Sequence, residues 1–440
     1  MTRDVYESYT VAELRAMLSD LGGAPGNKKK AELIDEIIEI RNGKIEAIRS
    51  NRGRKTTKQK RYSDYDFSLP AQDFYFADGG VKTPIGVEGV VDIDVYGGYL
   101  RGQTYLPSKS DVFIQLYDVE NYHLNQGDMV KGIAAVRPPK NRLQLLTVES
   151  VNGKAPRTQR PQSLESYKIR PKTRKIEIDY GNNSALKTAD MFCPLLKGRR
   201  EVFVAPENGV KVRYFADLLK SIKPSENLKI ICATIDETPE DVAVIEEAVG
   251  DNEFVYTTFE KTPEEHVKVA ETVFSRAKAL CEDGFDTLLI FESVTKLVKA
   301  YTESEKLLGE GGKQSLALAI LKAKKLLSYA RELGDRSLTI IITSRNETAF
   351  EKTVCDEISS VCNGKVQLYR QVQKKPSFLP IDITASGCPS CEECSSVEDY
   401  HVIEKIQQTV SKNPEKNEEA VLLLAKHVFD DDLIDRLDNL

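Results

Sequence analysis

The chain has 440 residues and a mass of 49.3 kDa, a length that predicts two to four domains. With 40% hydrophobic and 30% charged residues it has the composition of a soluble globular protein, and the absence of an apolar run of about 18 residues excludes a membrane partner. The net charge of −6 argues against nucleic acid, while eight cysteines and a polar start, MTRDVYESYT, exclude a secreted disulfide scaffold and predict a cytoplasmic protein.

The first predicted unit, residues 1–45, is a small helical module. Thr10 and Glu13 have the spacing of a capping box, which begins a helix. The apolar stripe of this helix is formed by Leu14, Met17 and Leu18. Two glycines and a proline then precede a second helix with three lysines at its start. Its apolar face is formed by Leu33, Ile34, Ile37 and Ile38.

A basic linker is predicted at residues 46–75. Residues 41–61 hold nine basic side chains and one acidic side chain, a net charge of +8, which leaves −14 on the rest of the chain. The segment NRGRKTTKQKR has no large apolar residue and cannot form a core. Two interpretations stay open, a solubilising hinge and an electrostatic contact with nucleic-acid phosphates.

Residues 76–157 are predicted to form a small β-barrel. Apolar and acidic residues alternate over 91–95, and short strand-like runs with glycine turns follow at close spacing. Aromatic and basic side chains are interleaved in this region: Tyr96, Tyr99, Arg101, Phe113, Arg137 and Lys140. Rings stack on bases and cations meet phosphates, so this composition favours single-stranded nucleic acid, although any one ring could equally belong to the core.

After a connector at residues 158–185, the region 186–440 is predicted to be an α/β domain. Apolar strand-like runs alternate with helical segments, which indicates a parallel sheet covered on both faces. The four runs are EVFVA (201–205), LKIICATI (228–235), TLLIF (287–291) and SLTIIIT (337–343).

Several segments of the chain resemble the transcription termination factor Rho family, and the resemblance extends over almost the whole length. The barrel segments are GYLR, DVFI, LNQGDMVKGIAAVRPPK and LLTVESVN, and the α/β segments are LLKGRREVFVAPENGVKV, CATIDETPEDV and TLLIFESVTKLVKAYTE. The resemblance implies a multidomain α/β protein with a SAP-like helical module, an OB/cold-shock-type barrel and a RecA-like domain. It also implies single-stranded RNA and RNA polymerase as partners, and a homo-hexamer or a ring shared with another Rho.

For RNA, the resemblance assigns contacts to Tyr99 and Arg101 and base stacking to Phe113. Gly97 stands where the family usually has a second ring, two residues before Tyr99. In LLGEGGKQS, Lys313 corresponds to a secondary RNA site.

For the nucleotide, the resemblance implies ATP with Mg²⁺, held by Gly209, Lys211 and Glu292, with Glu237 as catalytic base and Arg370 as arginine finger. A working phosphate loop reads G-x-x-x-x-G-K-[ST]. Here Val210 takes the place of the glycine before the lysine, and Val212 takes the place of the hydroxyl residue that binds Mg²⁺. We therefore expect hydrolysis to be weakened or lost, with turnover supported by the retained charged residues as the alternative.

Three cysteines in C-P-S-C-E-E-C, namely Cys388, Cys391 and Cys394, have a spacing that brings thiolates together. Thiolates bind zinc or an iron–sulfur cluster, and a redox-labile loop is the other interpretation. The expected function is RNA binding in transcription termination on nascent RNA by a ring protein. The alternatives are an active RNA-dependent ATPase and translocase, a modulator that joins or inhibits another Rho ring, and a DNA-binding or structural ring.

Overall fold

The computed structural model describes residues 10–11, 14–15, 18, 28–41, 84–137, 142–168, 174–205, 208–304, 316–369, 381–388 and 397–428. The chain divides into two compact units, Met1–Asp64 and Tyr65–Leu440.

The first unit contains helix α1, Lys30–Arg41, packed in a small apolar cluster. The members of this cluster are at most 2% exposed: Leu14, Leu18, Leu33, Ile34 and Ile37. They repeat the i, i+3, i+4 spacing of one helix face, so the predicted apolar side of the second helix is confirmed. Lys28 forms an ion pair with Glu36 across two turns of this segment.

The second unit begins with a closed five-stranded barrel in the order β1–β2–β3–β5–β4. Its strands are β1 (Ile85–Asp94), β2 (Gly97–Arg101), β3 (Val112–Gln115), β4 (Met129–Arg137) and β5 (Arg142–Val151). A short helix, α2 (Leu116–Asn121), follows β3. All pairings are antiparallel except β3 with β5, which closes the barrel through Phe113 and Gln144. Closure removes free strand edges, as the run of short strands predicted.

The rest of the second unit is a RecA-like α/β domain around a seven-stranded sheet. Six strands are parallel in the order β12–β6–β11–β9–β7–β8, and β10 pairs antiparallel with β11. The strands are β6 (Arg200–Val204), β7 (Leu228–Glu237), β8 (Glu253–Thr258), β9 (Asp286–Glu292), β10 (Arg331–Glu332), β11 (Ser337–Ser344) and β12 (Gly364–Gln367). The helices are α3 (Ser184–Phe192), α4 (Asn208–Ser221), α5 (Pro239–Val249), α6 (Pro263–Glu282), α7 (Val294–Glu303), α8 (Leu316–Leu327), α9 (Ala349–Ser359), α10 (Val397–Lys412) and α11 (Asn417–His427).

Two apolar clusters cover the two faces of this sheet, so its central strands are buried throughout. Every residue of β9 and of β11 is buried. One cluster includes Phe215 and Ile341, and the other includes Phe274 and Ile340. The four predicted apolar runs are confirmed as β6, β7, β9 and β11, and the parallel sheet with helices on both faces is the predicted architecture. Among the described helices none is long and apolar enough to cross a bilayer.

A buried polar network joins the barrel to the α/β domain. Arg157 follows the last barrel strand and contacts Asp128 of the barrel, with Nη2–Oδ1 at 2.8 Å, and Asp283 at the end of α6, with Nη2–Oδ2 at 2.9 Å. Asn152 donates to both carboxylates, at 2.8 and 2.7 Å. Burial alone would lower the pKa of Arg157, but its hydrogen bonds to Asp128 and Asp283 raise it. The guanidinium is therefore a permanent cation between two carboxylates of different domains.

A tight backbone contact lies next to this network. Gly127 has φ +89°, and a Cβ on it would lie 2.4 Å from the carbonyl carbon of Ser275 on α6. Only glycine allows this approach between the barrel and α6, because a side chain would collide with backbone that cannot move aside. The barrel and the sheet domain are thus packed directly on each other.

Candidate functional site

The predicted aromatic residues of the barrel lie together on neighbouring strands. Tyr99 on β2 is opposite Phe113 on β3, and their ring centroids are 5.6 Å apart at an angle of 65°. The Arg142 guanidinium, from the first residue of β5, lies 3.3 Å from the centroid of the Phe113 ring. Tyr99 is partly exposed, whereas Phe113 is 8% exposed. The sequence predicted both rings, but the position of Arg142 follows only from barrel closure.

Arg101 is held by two carboxylates at the same site. Its Nε lies 2.8 Å from Asp92 Oδ2, and its Nη1 donates to Asp111. The guanidinium also lies 4.8 Å from the centroid of the Tyr99 ring, and the side chain is 12% exposed. Burial favours a lower pKa for Arg101, but the hydrogen bonds to Asp92 and Asp111 raise it. Arg101 is therefore a fixed cation that orients the Tyr99 ring.

Asp92 extends this cluster into the α/β domain. Its Oδ1 accepts hydrogen bonds from Lys268 Nζ on α6 at 2.6 Å and from Gln126 Nε2 at 3.0 Å. Burial would raise the pKa of Asp92, but the hydrogen bonds from Lys268, Gln126 and Arg101 lower it. The carboxylate thus stays ionised between a cation of the barrel and a cation of the neighbouring domain.

Helix α4 follows β6 and carries Lys211 of the predicted phosphate-loop motif. β6 ends at Val204 and α4 begins at Asn208, so the helix starts three residues before Lys211. Gly209, Val210 and Lys211 are helical in their backbone, and their side chains lie outside the described part. Val212 is 3% exposed and belongs to the apolar cluster on that face. It therefore packs in the core, where the motif requires a hydroxyl for Mg²⁺.

The predicted catalytic base, Glu237, is buried at the end of β7. Its side chain has no exposed surface, and its Oε2 pairs with Lys296 Nζ at 2.5 Å. Lys296 lies on α7 and also donates to the Asp236 carbonyl at 2.7 Å. The next residue, Thr238, caps α5 by accepting from the Asp241 backbone N–H at 3.3 Å. Thr238 is therefore a helix cap in this chain.

Glu292 ends β9, on the strand next to Glu237. It is 3% exposed and accepts a hydrogen bond from Thr343 Oγ1 at 2.5 Å. Thr234 on β7 is its partner in the sheet register, which places both acidic residues at the carboxyl edge of neighbouring strands. Together with Val212 in the core, this arrangement does not fit Mg²⁺ bound by the hydroxyl of a phosphate loop.

Four other predicted site residues lie outside the described residues: Lys313, Arg370, Cys391 and Cys394. Cys388 is described, and its Sγ lies 3.0 Å from Arg199 Nη1. Within the described ranges no group of three metal-ligating side chains is present, and Cys391 and Cys394 lie outside those ranges. Lys296 was missed by sequence reasoning, although it stands only four residues after Glu292.

The fold and these two sites define a class of protein: an aromatic and cationic β-barrel of the nucleic-acid-binding type, fused to a RecA-like nucleotide-binding domain. Comparison with known families agrees with that class. A family described as "Rho termination factor, RNA-binding domain" matches residues 87–157, and the "ATP synthase alpha/beta family, nucleotide-binding domain" matches residues 185–388.

Curated relatives identify the family. Transcription termination factor Rho of Bacillus subtilis is 30% identical over 366 residues, which cover 80% of this chain and 84% of that protein. Rho of Streptosporangium roseum is 29% identical over 334 residues, with 74% of this chain and 84% of the relative covered. Rho of Mycobacterium tuberculosis is 28% identical over 351 residues, and there the chain spans 56% of the relative. The chain belongs to the transcription termination factor Rho family.

Solved structures with a similar fold include ATPases of other systems. The assembled ATPase EscN of the enteropathogenic E. coli type III secretion system aligns with a TM-score of 0.48 and 17% identity over 80% of this chain and 92% of that chain. The ATP synthase subunit NeqB of Nanoarchaeum equitans aligns with a TM-score of 0.45 and 17% identity, covering 62% of this chain and 70% of that chain.

Proposed function

We propose that this chain binds single-stranded RNA on the outer face of its barrel and acts in transcription termination on nascent RNA. The observation that supports this most directly is the set formed by Tyr99, Phe113 and Arg142, two rings and a guanidinium on adjoining strands. A base stacked on a ring contributes about 1–3 kcal/mol. Arg101 contributes by fixing the Tyr99 ring, while the basic linker supplies phosphate contacts.

The RNA test compares the chain with the double variant Tyr99→Ala/Phe113→Ala on a single-stranded RNA oligomer. Loss of two stacking contacts weakens binding by about 2–6 kcal/mol if the contributions add. The matched control is Tyr256→Ala on β8, an exposed tyrosine distant in sequence from the barrel. Unchanged affinity in the double variant would refute the RNA surface, and competition with single-stranded DNA of the same sequence measures the preference for RNA.

We further propose that the nucleotide centre has weak or no hydrolytic activity. Val212 is packed in the core, so its position offers no hydroxyl for Mg²⁺, and residues 208–211 are helical where the motif needs an open backbone around the phosphates. The test is RNA-stimulated phosphate release by the full chain. Release no higher than that of the Lys211→Ala variant supports the proposal.

An active ATPase is the second candidate, and the fixed position of Glu237 favours it. Lys296 holds this carboxylate at the carboxyl edge of the sheet, where a base that activates water belongs. In this reading ATP is the nucleotide and Arg370 reaches the neighbouring subunit of a homo-hexamer. RNA-stimulated phosphate release that is abolished by both Lys211→Ala and Glu237→Gln would establish an active ATPase. The same result would refute the proposal that hydrolysis is weak or lost.

Membership of the Rho family supports an oligomeric ring as the functional assembly, and RNA polymerase as a partner on the transcript. A ring without hydrolysis would act by joining or inhibiting the ring of another Rho. Mixing the purified chain with an active Rho distinguishes these forms by sedimentation and by phosphate release. Mixed rings with reduced release support the modulator, whereas separate homo-oligomers support independent action.

A further inference from the structure

The tip of the hairpin between β1 and β2 is the most exposed apolar feature of the described residues. Val95 is 81% exposed and Tyr96 is 79% exposed, more than any other large hydrophobic residue among them. β1 ends at Asp94 and β2 begins at Gly97, so these two residues form the whole loop. Two-residue hairpin loops favour Asn, Asp and Gly, and this one presents an aromatic ring to solvent instead.

The turn holds this ring at a defined place. The Tyr96 backbone N–H donates to Asp94 Oδ1 at 2.7 Å, which fixes the backbone of the loop. Gly97 has φ +142°, and a Cβ on it would lie 2.3 Å from the Ile114 carbonyl oxygen. Residue 97 therefore cannot carry a side chain in this backbone. An aromatic ring at this end of the hairpin has to come from the neighbouring loop residue, Tyr96.

The ring at the tip lies next to the strand that carries the predicted RNA surface. Along β2 the side chains alternate, so Tyr99 and Arg101 share the outer face while Leu100 is buried inside the barrel. Tyr96 lies three residues from Tyr99, about 10 Å along the strand at 3.3 Å per residue. A strand of RNA crossing Tyr99 can thus extend onto Tyr96 within the site size of about 4–16 nucleotides per OB fold.

We infer that Tyr96 is a further base-stacking residue, which adds one nucleotide position at the hairpin tip to the RNA surface proposed above. The contact is through the base, because the neighbouring carboxylate of Asp94 repels phosphate. This inference rests on the proposed RNA function and adds a position that the predicted contacts of Tyr99, Arg101 and Phe113 do not include.

The first test uses the absence of tryptophan in this chain. Tyr96→Trp introduces the only tryptophan, and its fluorescence reports stacking directly. Titration with a cytidine or uridine decamer quenches this emission, whereas the single tryptophan of a Tyr256→Trp control on β8 does not respond. Equal responses of the two variants, or no response at Tyr96→Trp, would overturn the inference.

The second test measures affinity for the same decamers. Tyr96→Ala weakens binding about 5- to 150-fold, the ratio that corresponds to about 1–3 kcal/mol per stacked base at 1.4 kcal/mol per tenfold. Tyr96→Phe keeps the affinity, and the dependence on salt stays unchanged because no phosphate contact is lost. Circular dichroism checks that each variant is folded, and sedimentation checks its oligomeric state.

Tyr99→Ala, measured in parallel, separates the two proposals. If Tyr99→Ala weakens binding and Tyr96→Ala does not, Tyr96 is no stacking residue and the RNA surface stands. If neither variant weakens binding, both proposals fail. If Tyr96→Ala changes the oligomeric state while RNA affinity is kept, the tip is a protein interface and the inference is overturned.

Discussion

Replacing Arg157 with methionine tests how firmly the barrel is joined to the α/β domain. The guanidinium contacts Asp128, which has no exposed side-chain surface, and Asp283, which is 11% exposed. Methionine preserves most of the apolar stem and removes the charge, so Asp128 keeps a buried negative charge with no cation beside it. Removing one partner of a buried pair costs about 3–5 kcal/mol. Against a total stability of about 5–15 kcal/mol, that is a large share.

The assay is urea unfolding followed by circular dichroism, with Arg160→Met as the control. Arg160 is exposed three residues away, and its replacement changes the unfolding free energy by at most about 0.5 kcal/mol. Asp128→Asn added to Arg157→Met recovers part of the loss, because the buried charge is then gone. A loss below about 1 kcal/mol in Arg157→Met, or strict additivity in the double variant, would refute the assignment of a buried bridge.

Three other replacements test the buried polar groups of the α/β domain. Lys296→Met costs about 3–5 kcal/mol of unfolding free energy, because it removes the cation beside the buried Glu237 carboxylate, and Glu237→Gln in the same chain restores part of that loss. Equal losses with and without Glu237→Gln would contradict the pairing. Burial raises the pKa of Glu201 well above 4.5, so the native carboxyl holds its proton and the stability of the wild type falls as pH rises past 4.5. Glu201→Gln is therefore more stable than the wild type at neutral pH. Melting curves at pH 4 and pH 7 measure this difference in stability, which should vanish at pH 4. Burial lowers the pKa of His266 below 6.5, so the unfolded chain takes up the proton first and stability falls as pH drops below 6.5. In urea titrations between about pH 5 and 7.5, His266→Gln makes the unfolding free energy less dependent on pH. An unchanged slope of unfolding free energy against pH would exclude His266 as the source of this dependence.

The strands that sequence patterns predicted are those in the middle of the sheet. β9 and β11 are buried on both faces, so they are continuous apolar runs that stand out in the sequence. β8 and β12 were not predicted, and both lie at the edges of the sheet. An edge strand has one neighbour and more exposure, so polar residues interrupt its pattern, as in EFVYTT and GKVQ.

The sequence predicted which residues form the candidate sites, but it did not predict which side chains contact each other. Tyr99 and Phe113 could be placed on adjoining strands because both lie in short apolar runs of one barrel. The partners of Asp92 could not all be predicted, because Lys268 reaches this carboxylate from 176 positions away along the chain. Pattern methods use local spacing, and such ion pairs form only when two folded domains meet.

The burial of Val212 has a consequence for any attempt to engineer a phosphate loop into this protein. A return to the phosphate-loop sequence would place a hydroxyl at a core position that is 3% exposed, at a cost of about 1–3 kcal/mol unless it finds a partner. The glycine at position 210 would cost roughly a further 0.5–1 kcal/mol inside the helix. Each step of reversal destabilises the fold before both together can restore a binding loop. The packing of Val212 thus makes the motif residues costly at these two positions of this fold.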